Sequence, residues 1–250
     1  MQANIRCGGV GASRIVGFHG WFGPENSWAG IDRWLDPLLF SWVFPDLRGY
    51  GRRRHDAGSY TLEEAAEDSI ALADSLGWDS FSVIGHSMGA LAGQWLVAQY
   101  PHRVQKLIAV TPVPAGGVPF DEATKGFFSQ AADDLSNRKS ILDGSTGGKL
   151  HSCVLDVMLK NSTRDCDANA FRRYFEAWSS ANFAHLLQGA KNPTKVIVGG
   201  NDPFLTVEVM RGTFGATFAS CDIVSLPGCG HYPMIEAPLQ FVGEVTRFLQ

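Results

Sequence analysis

The sequence predicts an α/β protein: a mostly parallel, doubly wound sheet covered by helices and interrupted by one helical insertion. Short runs rich in Val, Ile and Phe alternate with longer stretches of helical period, the pattern of parallel strands joined by crossover helices. One long segment, residues 114–189, carries helical patterning and no convincing strand. The chain has 250 residues, 45% hydrophobic and 18% charged, which fits a single domain with an insertion. That composition excludes a disordered chain and a small disulfide scaffold.

Taken in order, strands are expected at 14–18, 41–45, 81–85, 106–111, 194–199 and 222–226, with a short extra strand near 4–7. Most of these runs are apolar throughout, as strands buried on both faces are. Between the second and third, Leu62, Ala65, Ala66, Ile70, Ala73 and Leu76 recur at three- and four-residue steps. Thr61 with Glu64 three positions on opens that helix as a capping box, and Gly77 closes it. Residues 88–100 continue from the third strand as a helix stopped by Pro101, and 239–249 form the last one. The core therefore comprises 1–113 and 190–250, with 114–189 as a helical cap whose helices fall at 121–132, 149–161 and 167–178. Cap aromatics such as Phe128, Phe171, Phe175 and Trp178 pack mainly as cap core, with a few left to line a pocket.

Twenty-one Lys and Arg stand against 25 Asp and Glu, a net charge of -4, so a nucleic-acid partner is not expected. The basic run of Arg52, Arg53 and Arg54, with Arg48 upstream, lies between Asp46 and Asp56 and reads as a solvated loop with local ion pairs. Cys7, Cys153, Cys166, Cys221 and Cys229 show no C-x-x-C spacing; they read as free thiols and supply no metal site. No run of 18 apolar residues and no signal-like apolar core occurs, so a soluble cytoplasmic protein without a membrane partner is expected. Oligomeric state is left open. A P-loop ending at Lys149 fails because Asp143 takes the place of its first glycine and Leu150 that of Ser or Thr. Gly9 and Gly11 precede a strand instead of following one, so no dinucleotide fingerprint exists and no cofactor is implied.

Chemistry concentrates in three turns. Gly85-His86-Ser87-Met88-Gly89 lies between a strand and a helix, the context that a G-x-S-x-G nucleophile turn requires. A serine hydroxyl is a weak nucleophile near neutral pH and needs a base that is itself held by a third group. Asp202 follows the strand 194–199 in Gly200-Asn201-Asp202-Pro203, and His231 follows 222–226 in Gly228-Cys229-Gly230-His231. Strand C-terminal ends share one crevice in a doubly wound sheet, so Ser87, Asp202 and His231 converge there in the order serine, acid, histidine.

With His19-Gly20-Trp21 and Asp46-Leu47-Arg48-Gly49-Tyr50-Gly51 added, the chain resembles the α/β-hydrolase superfamily over nearly its whole length, in particular its capped, esterase-like serine members. The resemblance implies the α/β-hydrolase fold, with Ser87 as nucleophile, His231 as base and then acid, and Asp202 fixing the imidazole tautomer. It further implies an oxyanion hole made of the backbone N–H groups of Trp21 and Met88. With 13 residues ahead of Arg14, the antiparallel hairpin that opens this fold is expected to be shortened or missing. Some relatives carry the acid after the strand equivalent to 106–111, but Thr111-Pro112-Val113-Pro114 offers no carboxylate, which leaves Asp202.

The expected reaction is cofactor-free cleavage of a carboxylic ester, lactone or thioester through an acyl-enzyme. The partner is a small molecule with apolar groups, bounded by Trp21, Phe22, Met88, Phe204, Trp178 and His185. Two alternatives stay open: carbon–carbon bond hydrolysis on the same triad, and a ligand-binding protein that keeps the triad with little turnover. Among the other histidines, His19 is expected to brace the oxyanion loop and His86 to point away from the site. His102 sits on a surface turn, and His55 and His151 on the surface or the cap.

Overall fold

The computed structural model describes residues 5–28 and 30–250. One sheet contains seven strands: β1 (Arg6–Gly8), β2 (Ser13–Phe18), β3 (Phe40–Phe44), β4 (Phe81–His86), β5 (Val104–Val110), β6 (Thr194–Gly199) and β7 (Cys221–Leu226). Their spatial order is β1-β3-β2-β4-β5-β6-β7, and every pairing is parallel except that of β1 with β3. From β2 the chain steps outward to β3 and then returns to place β4 on the other side of β2. The loops leaving β2 and β4 therefore diverge and open a crevice at the strand C-termini.

Central β4 and β6 are buried along their whole length, in keeping with their apolar sequences, while the edge strand β7 is partly open. The six expected strands are all present. The extra strand expected near 4–7 is β1, three residues long, with Arg6 opposite Phe44; Asn4 lies outside the described residues. One short strand thus stands where the opening hairpin was expected to be shortened or missing, and it pairs with β3, not with β2. Thr111, read as the end of the fourth strand, lies just past β5 with a left-handed backbone, φ +38°.

Helices α1 (Glu25–Trp28), α2 (Leu62–Ser75) and α3 (Met88–Gln99) join the first five strands. Half of the expected capping box of α2 forms, Thr61 Oγ1 accepting from Glu64 N at 3.2 Å; the Glu64 carboxylate reaches past the Thr61 N–H and accepts from Ser59 and Tyr60 N–H at 3.0 Å each. Between β5 and β6 stand α4 (Glu122–Gln130), α5 (Leu135–Ser145), α6 (Ser152–Arg164) and α7 (Ala168–Ser179). The chain closes with α8 (Val207–Gly212), α9 (Phe214–Thr217), α10 (Pro233–Glu236) and α11 (Pro238–Leu249).

Helix α5 is absent from the sequence expectation, for a physical reason. Its residues are mostly polar, so no apolar period announces it. It is started by Asp134 Oδ1, which accepts from Ser136 N at 2.8 Å and Asn137 N at 3.2 Å. Its inward face joins Ile141 and Leu142 to a cation: buried Arg138 donates to the Ala131 carbonyl at 2.7 Å and lies 3.8 Å from the centre of the Phe171 ring.

The basic loop is laced by local ion pairs, as its sequence suggests. Arg48 grips Asp68 with two hydrogen bonds of 2.9 Å, and Arg53 reaches the same carboxylate at 2.8 Å. All five cysteines are free. Among the described residues no helix is long and apolar enough to cross a membrane.

Candidate active site

Ser87 occupies the turn between β4 and α3 with φ +52° and ψ −116°, a conformation that costs about 1–3 kcal/mol for a residue with a side chain. Backbone bonds on both sides hold it there. Ser87 N donates to Val110 O at 2.8 Å, and the Ser87 carbonyl accepts from Ala90 N at 3.0 Å and Val113 N at 3.3 Å. The glycine two residues on is required by close approach: a Cβ on Gly89 would lie 2.3 Å from Phe18 O. Helix α3 thus begins hard against the end of β2, and Met88, its first residue, carries an N–H with no intrahelical acceptor.

The loop after β2 is set by His19. Its Nε2 accepts from Leu47 N at 3.0 Å, so the proton resides on Nδ1, which donates to Gly20 O at 2.8 Å. Burial lowers the pKa of this imidazole to about 4, and it stays neutral, bracing the loop as expected. Trp21 follows, fastened at two points: its carbonyl accepts from the Tyr50 hydroxyl at 2.8 Å, and its indole Nε1–H donates to Phe171 O at 2.7 Å. Neither Trp21 N–H nor Met88 N–H donates to another protein group among the described residues.

Across the crevice, His231 Nδ1 lies 2.7 Å from Asp202 Oδ2, and Asp202 Oδ1 accepts from Phe204 N at 2.9 Å and Leu205 N at 3.1 Å. Burial alone would raise the Asp202 carboxyl. The His231 ring and the two backbone N–H groups outweigh it and hold the pKa below the ordinary carboxylate value. An ionised Asp202 takes the Nδ1 proton of His231 as its hydrogen bond, which leaves Nε2 with its lone pair free. The Ser87 hydroxyl makes no hydrogen bond to another side chain among the described residues, a looseness common in unliganded sites.

The backbone around His231 is held by a residue that sequence reading missed. Glu236 accepts from Gly230 N at 2.8 Å and Tyr232 N at 3.0 Å, one carboxylate oxygen for each residue flanking the histidine. Burial pushes its pKa up, against these hydrogen bonds. His231 N donates to Ser145 O at 3.1 Å, and a Cβ on Gly230 would meet Thr146 Cα at 2.5 Å, so the end of α5 packs directly on this loop. Asking where the N–H groups of a glycine-rich turn find acceptors was the available signal for Glu236.

Toward the helices between β5 and β6, Trp21 stacks on Phe171 at 4.0 Å and meets Phe22, Phe175 and Trp178 at 5.2–5.5 Å. Phe128 lies beyond, parallel to Trp21 at 6.2 Å. Trp178 Nε1 is buried without a hydrogen-bond partner. Met88 is fully buried.

Two expected pocket residues do not join this group. Phe204 is 60% exposed: its turn must offer the backbone N–H to Asp202, and the ring is left facing solvent. His185 is exposed on the short turn Ala184–Leu187, which packs on α3 through the buried Leu187. A groove of about 950 Å³ opens elsewhere, between β1, β3 and α2, and includes none of Ser87, Asp202 and His231. Among the described residues no group of three or more His, Cys, Asp and Glu side chains is arranged to hold a metal ion.

A seven-stranded sheet of this order, with a strained serine at its switch point, defines an α/β-hydrolase, and the chain matches the Alpha/beta hydrolase family over residues 15–245. It belongs to that family. It is 28% identical over 198 residues to 3-oxoadipate enol-lactonase 2 of Acinetobacter baylyi, covering 78% of this chain and 73% of the relative. It is 23% identical over 270 residues to a 2-hydroxy-6-oxononadienedioate/2-hydroxy-6-oxononatrienedioate hydrolase of a Pseudomonas species, covering 98% and 91%. The crystal structure of the enol-lactonase from Burkholderia xenovorans superimposes with a TM-score of 0.84 at 24% identity over 98% of this chain and 95% of that one, a likeness of fold.

Proposed function

We propose that this chain is a serine hydrolase that cleaves a carboxylic ester or lactone through an acyl-enzyme, with Ser87, His231 and Asp202 as its triad. The Asp202–His231 bond of 2.7 Å carries the reading, because it leaves His231 Nε2 as an unprotonated base in the crevice where Ser87 stands. Ser87 Oγ attacks the substrate carbonyl carbon while its proton passes to Nε2. The oxyanion forms against the N–H groups of Trp21 and Met88, and losing one such donor costs on the order of 3 kcal/mol of transition-state stabilisation. The carbon–oxygen bond then breaks, Nε2 returns its proton to the leaving alkoxide, and water repeats the sequence in reverse to free the acid and restore Ser87.

Residues 114–189 act as the cap in this reading. Trp21, Phe22, Met88 and Trp178 bound a substrate of small or medium size with apolar groups, which fits the aromatic cluster, and the lactonase name of the Acinetobacter relative supports ester or lactone cleavage. A second reading, carbon–carbon hydrolysis by the same triad, draws support from the Pseudomonas relative.

A fluorophosphonate probe and short p-nitrophenyl esters, applied to the native protein and to Ser87→Ala, test the proposal. Labelling and turnover in the native protein that vanish in the variant support it. A well-folded native protein that neither labels nor turns over is instead a binding protein. Fast cleavage of a 2-hydroxy-6-oxo dienoate beside slow ester turnover moves the assignment to the second reading.

A further inference from the structure

His86, expected only to point away from the nucleophile, is wholly buried and sits in a hydrogen-bonded line that crosses the site. Gly20 N donates to Ser27 Oγ at 2.9 Å, Ser27 Oγ lies 3.0 Å from His86 Nδ1, and His86 Nε2 lies 2.9 Å from the carbonyl of His231. The two ends fix the direction. A backbone N–H only donates and a carbonyl only accepts, so His86 Nε2 carries a proton; with the ring neutral, the Ser27 hydroxyl donates to Nδ1. Burial, reinforced by the nearby His231 ring, holds the His86 pKa well below the ordinary histidine value.

The line matters because of what it joins. Gly20 precedes Trp21 in the loop after β2, and His231 stands after β7, with β4, β5 and β6 between those strands. The His231 carbonyl accepts a second bond, from Thr111 Oγ1 at 2.9 Å. Thr111 is fully buried and β-branched, yet holds φ +38°, an outlier that persists only where its surroundings impose it. Gly20 is fitted to the same arrangement, since a Cβ there would lie 2.7 Å from His86 Nδ1.

We infer that His86 is a positioning residue: as a neutral Nε2–H imidazole it registers the general-base loop against the oxyanion loop, with Thr111 as the second anchor of the His231 carbonyl. The inference rests on the proposed triad. Nε2 of His231 has to reach Ser87 while Trp21 N–H faces the developing oxyanion, and one buried ring sets the spacing of both loops. The chain Gly20–Ser27–His86–His231 has all its donors pointing one way, an arrangement in which successive bonds polarise and strengthen one another.

Two measurements test it. In native protein with ¹⁵N-labelled histidine, the His86 ring is expected as the Nε2–H tautomer, without titration between pH 5.5 and 8.5; an Nδ1–H tautomer or a titrating ring overturns the inference. In kinetics, His86→Asn, too short to donate to the His231 carbonyl, is expected to lower kcat on the order of 100-fold with KM nearly unchanged. His86→Gln restores a donor at that point, while Ser27 turns its hydroxyl to Gly23 O, 3.2 Å away, and most of the loss is recovered. Equal loss in both variants, or native kcat in a folded His86→Asn, overturns it. If the native protein itself fails to react with a fluorophosphonate, the triad reading falls; if it reacts and His86→Asn reacts as fast, only the present inference falls.

Discussion

The loop bearing His231 and the ring of Trp21 lie in one crevice but are held by different forces. His231 is fixed through its backbone: its N–H by Ser145, its carbonyl by His86 and Thr111, and its neighbours by Glu236. The Trp21 ring is fixed by faces and edges of Phe22, Phe171, Phe175 and Trp178, with one directional bond, from its indole N–H to Phe171 O. Hydrogen bonds fix positions to tenths of an ångström and tolerate no missing partner, whereas apolar contacts tolerate exchange at similar volume. Under the proposed function, the chemistry is then written into a polar network and the selectivity into a packable surface.

The largest effect is expected in the network. Asp202→Asn keeps the shape but stabilises the wrong imidazole tautomer, and kcat on a p-nitrophenyl ester should fall on the order of 10⁴-fold while the folded state persists by circular dichroism. An equally large loss from an aromatic substitution in the cluster would break the distinction.

Next comes acid sensitivity. His19 takes up a proton near pH 6.5 when unfolded but only near 4 when folded, so the unfolded chain binds more protons between those values. The stability this buried ring contributes is complete above about pH 6.5 and is lost as pH falls from there through 4, on the order of 3 kcal/mol. Urea midpoints measured from pH 7.5 down to 4.5 should decline across that window.

Glu236→Ala leaves the N–H groups of Gly230 and Tyr232 without their acceptor and should cost about 2 kcal/mol in urea unfolding. It should lower kcat more than it changes KM. The smallest effect belongs to the cluster: Trp178→Phe removes an indole N–H that has no partner, so stability should change by less than about 1 kcal/mol, with KM moving more than kcat.

The same division explains what was legible in the sequence. Short Val-, Ile- and Phe-rich runs announce strands by composition, so β2 to β7 were readable, and the turn motifs carried Ser87, Asp202 and His231 because each follows a recognisable strand. Residues that act through tertiary hydrogen bonds left no local trace. His86 read as a neighbour of the nucleophile, Thr111 as a strand end without a carboxylate, and Glu236 was not singled out at all. Helix α5 escaped because Ile141 and Leu142 alone make no apolar period and the long side chain buried beside them is Arg138, a guanidinium lying on Phe171 that hydrophobic periodicity does not see. Phe204 and His185 stand exposed, since closeness in sequence to the Asp202 turn or to the return to β6 says nothing of where a side chain faces.

The bond from the Trp21 indole to the Phe171 carbonyl, 2.7 Å across 150 positions of sequence, also bears on how such enzymes diversify. A segment between two strands looks like a module that recombination swaps freely between relatives. Here the donor tryptophan lies in the loop after β2 and its acceptor in the first turn of α7, between β5 and β6. A chimera that imports a foreign insertion inherits an unanchored Trp21 unless the incoming helix offers a carbonyl at the same place, so the two segments are expected to have been inherited as a pair.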